Sequence, residues 1–378
     1  MSSKLPTFLG LHRLTAQIAP IVVVCALVFA LPLLLNNDFL LNKVARYLVL
    51  GILTVSLALS WGYGGILNLG QAMSFGLGSY AMAMALKLKT IPVHTGSGGL
   101  PDFMVWNNVE RLPWFWVPFK SLTFALVAGI AVPALVAAAL GWFVFRSRVT
   151  GVYVAIITLA TMVVLNLVII DQQSYTGGFN GITDLAQLEI FGFAFDAYGR
   201  ATYYLVASCV ALSLVVAFAF TKSKAGLIVQ AIRDHESRVR YFGYDVAAYQ
   251  IFVFALSAAI AGLAGMLYTI VMEFASPTFL GVPLSLSVVV WCAVGGRQSL
   301  VGAFLGAVLV AGMQGALSET AAFLETWTLV MGALFVLVVL FLPKGLAGLM
   351  HTLWQWLTRR RQPASAMVQS LEQTEGRI

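Results

Sequence analysis

Long apolar runs alternate with short polar segments along the chain as far as Pro343. Between Tyr47 and Leu86 there are 40 consecutive residues without a charged side chain. The core of a bilayer is about 30 Å thick, so one helical crossing needs about 20 apolar residues. Unpaired charge at that depth is costly. The pattern therefore predicts an all-α integral membrane protein.

The apolar runs predict about ten transmembrane helices. We place them at 18–35, 44–61, 65–86, 119–145, 150–170, 201–220, 251–272, 284–295, 299–318 and 326–342. The second and third share the uncharged run and are separated at Gly62-Tyr63-Gly64-Gly65. The eighth is short for a complete crossing, and Gly295-Gly296 ends it.

The distribution of basic residues gives these helices an orientation. With the N-terminus inside, 15 of the 22 Lys and Arg residues fall in inner segments, as the positive-inside rule expects. Most acidic residues then fall in outer segments. The organisation expected is a cytoplasmic N-terminal segment, a transmembrane domain, two large outer loops, an inner segment and a cytoplasmic tail, with both termini cytoplasmic. The N-terminal segment is 1–17, and the transmembrane domain is 18–345. Within that domain the outer loops are 91–118 and 171–200, and the inner segment is 221–250. The tail is 346–378.

Composition supports a membrane protein and weakens several other classes. The chain is 60% hydrophobic and 10% charged, with a net charge of +7. Basic inner loops explain that charge, so nucleic-acid binding is not indicated. The first run, 18–35, could be a signal peptide, but Pro32 stands where a small-residue cleavage site should be, which favours a retained helix. Cys25, Cys209 and Cys292 lie in apolar stretches without CxxC spacing, and no metal site is visible.

Uncharged polar residues interrupt the third and fifth predicted helices. Asn68, Gln71 and Ser74 lie in a glycine-rich segment where donors and acceptors need partners inside a bilayer. They could join helices by hydrogen bonds or form a polar pathway, and their clustering favours a pathway. Thr158 and Thr161 share a face of the fifth helix, with Asn166 off that face. Hydroxyl groups often bond to their own helix backbone, which is the alternative there.

The largest inner segment contains a predicted amphipathic helix at 225–243. Apolar positions recur at helical spacing, and charged residues occupy the other face. The stripe is Ile228, Ile232, His235, Val239 and Phe242. Asp234–Arg238 and Glu236–Arg240 are predicted to pair one turn apart, and Gly243 suits the position after a helix end. Such a helix either lies on the bilayer surface or docks a cytoplasmic partner.

Several expected features are missing from the sequence. No charged residue lies in the middle of a predicted crossing, and Glu273 lies at an end, whereas ion-driven carriers commonly keep charges at depth. The chain has no Gly-Lys dipeptide and therefore no P-loop. No paired carboxylates or Ser/His arrangement indicates an intramembrane enzyme. Two functional interpretations remain. The protein is either a passive channel for small neutral solutes or a pore energised by another subunit.

Several segments resemble one family in the same order along the chain. They are WGYGGILNLGQAMSFGLGSYAMAM, RSRVTGVYVAIITLAT, YTGGFNGIT, AIRDHESRVRYFGYDVAAYQIFVFALSAAIAGLAGMLY, CAVGGRQSLVGAFLGA and LFLPKGL. Together they resemble the branched-chain amino acid and urea family of ABC-importer permeases. LPDFMVW, LPWFW, RSRVTGVY and GFNGITD look most like the larger permease subunit of urea importers.

The resemblance implies an ABC-importer permease fold in the bacterial inner membrane. It implies a sister permease subunit, two cytoplasmic ATPase subunits that use ATP, a periplasmic substrate-binding protein, and no cofactor in this chain. It places Arg233, Asp234, Glu236 and Gly243 in a short cytoplasmic coupling helix. Urea or short amides are the expected cargo, with branched-chain amino acids as the alternative. Small neutral amides suit uncharged polar side chains.

Overall fold

The computed structural model describes residues 6–90, 99–190 and 192–319, together with residues 329, 332, 333, 336, 345, 346 and 348. The described chain is mostly helical. Its helices are α1 (Pro6–Leu34), α2 (Asp38–Leu57), α3 (Gln71–Thr90), α4 (Asp102–Trp106), α5 (Leu122–Arg146), α6 (Val152–Asp171), α7 (Gln173–Thr176), α8 (Arg200–Lys222), α9 (Lys224–Tyr241), α10 (Val246–Met272), α11 (Val282–Gly295) and α12 (Leu300–Glu319).

Within the described residues, six stretches are long and apolar enough to cross a membrane. They are Asp38–Tyr63, Leu122–Arg146, Val152–Asp171, Arg200–Lys222, Val246–Met272 and Leu300–Ser318. Ile18–Leu34 and Val282–Gly295 are shorter apolar helices. The tenth predicted crossing, 326–342, lies almost entirely outside the described residues. The prediction of an all-α membrane protein therefore holds at the level of fold class.

The third predicted crossing begins at the wrong residue. The sequence places its start at 65, but α3 begins at Gln71, and residues 65–70 are not helical. Gly65 has a positive φ of +72°, which a helix does not accommodate, and this turn interrupts the path from α2 to α3. We call residues 64–70 the linker.

Helices α2, α3 and α10 form the centre of the bundle. α10 contacts α5, α3 and α2, while α2 also contacts α12 and α8. Almost every residue of α3 is buried. Its backbone approaches α10 very closely, because a Cβ built on Gly265 would lie 1.8 Å from the Phe75 carbonyl oxygen. α5 and α6 lie at the periphery, where many apolar side chains face outward.

The described residues of 171–190 and 192–200 pack against the end of α10. Ile182 and Ala275 exchange backbone hydrogen bonds of 2.8 and 3.1 Å. Leu188–Ile190 and Phe193–Phe195 form an antiparallel hairpin, β1 and β2, that the all-helical expectation did not include. The Asn42 amide donates to the carbonyls of Ala197 (2.8 Å) and Val271 (3.0 Å). This segment therefore forms a fixed cap on one end of the bundle.

Candidate functional site

The C-terminal end of α2 changes from an α-helix to a π-helical turn, Ala58–Tyr63, before the linker. Backbone hydrogen bonds from Gly64 to Leu59 and from Ile66 to Ser60 close this turn, at 3.1 and 2.9 Å. A Cβ on Gly62 would lie 1.7 Å from the Arg297 carbonyl oxygen. Glycine is therefore required where the turn meets the segment between α11 and α12. Turns of this type occur frequently at functional sites.

Asn68 and Gln71 meet two serines in a buried network that we call the amide lock (Ser56, Asn68, Gln71 and Ser257). The Asn68 amide donates to Gln71 Oε1 (2.6 Å). Gln71 Nε2 donates to Ser56 Oγ (2.7 Å) and Ser257 Oγ (3.1 Å). Ser257 Oγ donates in turn to the Ser56 carbonyl (2.6 Å). The lock thus joins the start of α3 to α2 and α10 within the bundle.

Thr158 and Ser285 hold the linker from the other side. The backbone amide of Leu69 donates to Thr158 Oγ1 (3.2 Å), and Ser285 Oγ donates to the Leu69 carbonyl. Asn68 Oδ1 also accepts the backbone N–H of Gly70 (2.9 Å). Polar side chains from α6 and α11 therefore satisfy linker groups that would otherwise lie unpaired in an apolar region.

The structure brings only part of the predicted pathway set together. Asn68, Gln71 and Thr158 surround the linker, whereas Thr161 donates to the Ile157 carbonyl of its own helix (2.8 Å). The Asn166 amide donates to the Pro277 carbonyl (2.5 Å), which connects α6 to the turn before α11. Ser74 Oγ is buried without a hydrogen-bond partner among the described residues.

Burial decides what these residues can do in the conformation observed. The side chains of the amide lock have almost no exposed surface within the single chain, and their donors are paired with one another. That arrangement is what helix packing in a bilayer requires. A role in a pathway requires the lock to open.

Helix α9 lies between α8 and α10, where the sequence predicts an amphipathic helix. Ser223 Oγ caps its first turn by accepting the backbone N–H of Gly226 (3.1 Å). Gly243 follows its last turn with φ of +87°, as expected for a residue after a helix end. Ile232 and Val239 of the predicted apolar stripe are buried, but His235 and Phe242 are exposed.

The predicted pair between Asp234 and Arg238 is wrong. Asp234 Oδ1 instead accepts from Arg233, at 2.9 Å from both Nε and Nη2. His235 has non-helical backbone angles, φ −151° and ψ 79°. Because this kink separates residues 234 and 238, the one-turn geometry that the pair needs is lost. The Glu236–Arg240 pair forms as predicted, at 2.6 Å.

Arg233 makes the contact that links α9 to the π-helical turn. Its Nη1 donates to the Gly62 carbonyl (2.6 Å), and its Cγ would lie 2.8 Å from a Cβ on Gly65. Nearby, the Arg297 guanidinium lies 5.4 Å from the centre of the Trp61 ring. Basic side chains therefore contact both sides of the turn at this end of the bundle.

An apolar groove of about 500 Å³ runs along the exposed side of α9. Leu227, Phe242 and Tyr244 line it and are exposed. Asp234, His235 and Arg238 contribute polar groups to the same groove. Exposed large apolar side chains next to charges of both signs are typical of a protein interaction surface.

Sequence reasoning missed a buried charge at the opposite end of α3. Lys87 is buried, and its Nζ lies 3.0 Å from Asp102 Oδ1 and 4.0 Å from Asp184 Oδ2. It also donates to the Thr183 carbonyl (3.0 Å). The predicted crossing 65–86 leaves Lys87 in the outer segment that follows it, and the acids in both predicted outer loops were a signal that Lys87 had partners there.

This end of the bundle also carries exposed aromatic side chains. Trp106 and Trp114 are exposed, and Trp116 Nε1 donates to the Tyr175 carbonyl (2.9 Å). Glu273 ends α10 with a positive φ of +52°. Burial, and next the nearby Asp196 carboxylate, raise the pKa of Glu273. Within the described residues no three His, Cys, Asp or Glu side chains are grouped so as to hold a metal ion.

Comparison with known proteins identifies relatives over most of the chain. Residues 39–339 match the family described as branched-chain amino acid transport system / permease component. The high-affinity branched-chain amino acid transport system permease proteins LivM of Salmonella typhimurium and Escherichia coli are 28% and 27% identical, respectively. Each alignment covers 79% of this chain and 67% of the relative. The ribose import permease protein RbsC of Haemophilus influenzae is 24% identical over 63% of this chain and 72% of its own length.

No solved structure matches. The family and the LivM relatives name branched-chain amino acids and not urea, so the expectation of urea as cargo gains no support and the alternative fits better. The membrane-spanning helices and the bacterial permease relatives together indicate a multi-pass inner-membrane transport subunit and not an enzyme. The chain belongs to the family of permease components of branched-chain amino acid transport systems.

Proposed function

We propose that this chain is a transmembrane permease subunit of an ATP-driven importer that receives its cargo from a binding protein. The observation that carries the proposal is the family match over 39–339, which includes α9 and the helices on both sides of it. A charged helix with an exposed apolar groove is unnecessary in a stand-alone channel. It is suited to a partner that applies force.

In this proposal α9 faces the cytoplasm and docks one of two ATPase subunits, which hydrolyse ATP. Both chain termini are then cytoplasmic, and the cap at 171–200 faces the periplasmic binding protein. A sister permease subunit completes the pore. Arg238 and Arg240 are exposed on α9 and are available to a partner, as is the groove that Phe242 lines.

Branched-chain amino acids are the cargo that we propose first, because the family and the LivM relatives name them. The polar residues around the linker then contribute to the pathway once the amide lock opens. A zwitterion needs partners for its charges. At the start of α3 the backbone N–H groups of Ala72 and Met73 are bonded to Ser285 Oγ and the Gly70 carbonyl, so they become available to a carboxylate only after the linker moves.

Urea or short amides are a second candidate. The observation in favour is that the amide lock and Thr158 offer only neutral donors and acceptors. Such groups match the hydrogen-bonding pattern of a neutral amide without requiring a charged partner.

Uptake of labelled leucine in a strain lacking only this gene tests the proposal. We expect leucine uptake to be lost, restored by the gene, dependent on ATP, and unaffected by excess urea or acetamide. Loss of urea uptake with normal leucine uptake would support the second candidate. If the purified chain alone in liposomes conducted either solute without ATPase subunits, a channel would replace the importer.

A further inference from the structure

The contact between Arg233 and the Gly62 carbonyl connects two parts of the chain that are far apart in sequence. Arg233 lies on α9, and Gly62 lies in the π-helical turn that ends the second helix. The bond is 2.6 Å long and joins a permanent cation to a backbone carbonyl. Hydrogen bonds to charged groups are about twice as strong as neutral ones.

Asp234 fixes the direction of the Arg233 guanidinium. Arg233 Nε donates to Asp234 Oδ1, and Arg233 Nη2 lies 2.9 Å from the same oxygen in an ion pair, which leaves Nη1 directed at Gly62. The kink at His235 follows immediately. Asp234 is therefore the neighbour that orients Arg233, and the exposed Arg238 and Arg240 lie after the kink.

The linker connects Gly62 to the helix bundle over a short distance, so a displacement at Gly62 is transmitted through it. Gly65 packs against the Arg233 side chain, and Ile66 is bonded back to Ser60. The chain then enters the amide lock at Asn68. Only the seven linker residues separate the π-helical turn from the first residue of α3.

We propose that Arg233 is a positioning residue that relays movement of α9 to the linker and the amide lock. This inference rests on the proposed function, in which a partner moves α9. In this proposal, movement of α9 displaces the Gly62 carbonyl and the linker. The hydrogen bonds from Gln71 to Ser56 and Ser257 are then exchanged for bonds to other neutral groups. Arg233 then acts within this chain and not as a contact to the ATPase.

The exposure of the basic side chains on α9 supports this division. The Arg233 side chain is only 24% exposed, and its donors are used by Asp234 and Gly62. Arg238 and Arg240 are exposed. A residue that served only as a docking contact would be expected to point away from its own chain.

Arg233→Gln tests the relay in the assembled importer, with Lys224→Gln as the control on the same helix, because Lys224 is exposed and does not line the groove. For Arg233→Gln we expect ATP hydrolysis to be retained while leucine uptake falls about ten-fold, as loss of a coupling interaction predicts. Arg233→Lys keeps a donor for Gly62 and is expected to recover part of the uptake. Dissociation of the ATPase subunits from Arg233→Gln would instead assign Arg233 to docking, and unchanged uptake would remove it from the mechanism.

Amide hydrogen exchange in the purified permease tests the contact without any partner. The N–H groups of Ile66, Leu69 and Gly70 are protected by bonds within the π-helical turn and around the linker. We expect Arg233→Gln to speed their exchange and Lys224→Gln to leave it unchanged. If neither importer activity nor ATPase binding is found in the wild type, the proposed function fails, and this measurement still decides whether Arg233 holds the linker. Equal exchange in the two variants would overturn the inference.

Discussion

At its first residue α3 is held by neutral amide and hydroxyl groups, whereas in its last turn it is held by a buried ammonium ion. Gln71 bonds to Ser56 and Ser257, and Lys87 pairs with Asp102 and bonds to the Thr183 carbonyl. Neutral hydrogen bonds between membrane helices contribute about 0.6 kcal/mol on average, and alternative partners are common. Removing one partner of a buried ion pair costs several times more.

This difference separates a part of the molecule that can rearrange from a part that cannot. The Lys87 end connects α3 to α4 and to the cap at 171–200 through charged contacts. The Gln71 end connects it to α2 and α10 through bonds that can exchange with other neutral groups. Movement that reaches the linker should therefore change the lock before it disturbs the cap.

Neutralising Asp102 should have the largest effect on stability. Asp102→Asn leaves the buried Lys87 ammonium with a weaker partner, so we expect a loss of about 2 kcal/mol in the free energy of unfolding. Asp184→Asn is the matched control, because Asp184 is mostly exposed and lies 4.0 Å from Lys87. Thermal unfolding in detergent measures both. Equal destabilisation by the two changes would show that Lys87 does not depend on Asp102.

Breaking the amide lock should have a smaller effect on stability and a larger effect on transport. Gln71→Leu removes two hydrogen bonds and leaves the Asn68 amide without its acceptor. We expect a loss of about 1 kcal/mol in stability, since neighbouring groups re-pair in a bilayer. Leu69→Met is the control on the linker. If uptake and unfolding temperature change equally in the two variants, the lock only packs helices.

The sequence predicts the helices well where an uncharged run is long, and less well where polar groups are satisfied by distant residues. The start of α3 at Gln71 was missed because residues 65–70 belong to the uncharged run, and their glycines and Asn68 are also compatible with a packed membrane helix. The partners of Gln71 could not be predicted, since Ser257 is 186 positions away.

For charged residues too, the sequence does not reveal partners that lie in distant segments. Lys87 was placed in an outer segment because charge is expected outside the bilayer, and its partners lie in two separate loops. The Glu236–Arg240 pair was predictable because it depends on one helical turn alone. The Asp234–Arg238 pair is absent because His235 has non-helical backbone angles, which the helical pattern of the sequence does not indicate.

Exchanging the charges of the Glu236–Arg240 pair should have the smallest effect on the permease itself. Glu236→Lys with Arg240→Glu keeps an ion pair one turn apart, and such pairs contribute only about 0.4 kcal/mol. The unfolding temperature is therefore expected to stay at the wild-type value. Because the charges that face a partner are now reversed, we expect the ATPase subunits to co-purify less well.

The result of this charge exchange distinguishes a docking role of α9 from the structural roles of the two ends of α3. Weaker association at unchanged stability places docking on the part of α9 beyond His235, where Arg238 and Arg240 are exposed, and leaves Arg233 to act on the linker. Full association and full uptake would instead mean that the exposed charges of α9 carry no partner contact. A fall in unfolding temperature as large as that of Gln71→Leu would show that the Glu236–Arg240 pair is a structural element. An exposed ion pair on one helix is expected to contribute less stability than a buried network of hydrogen bonds.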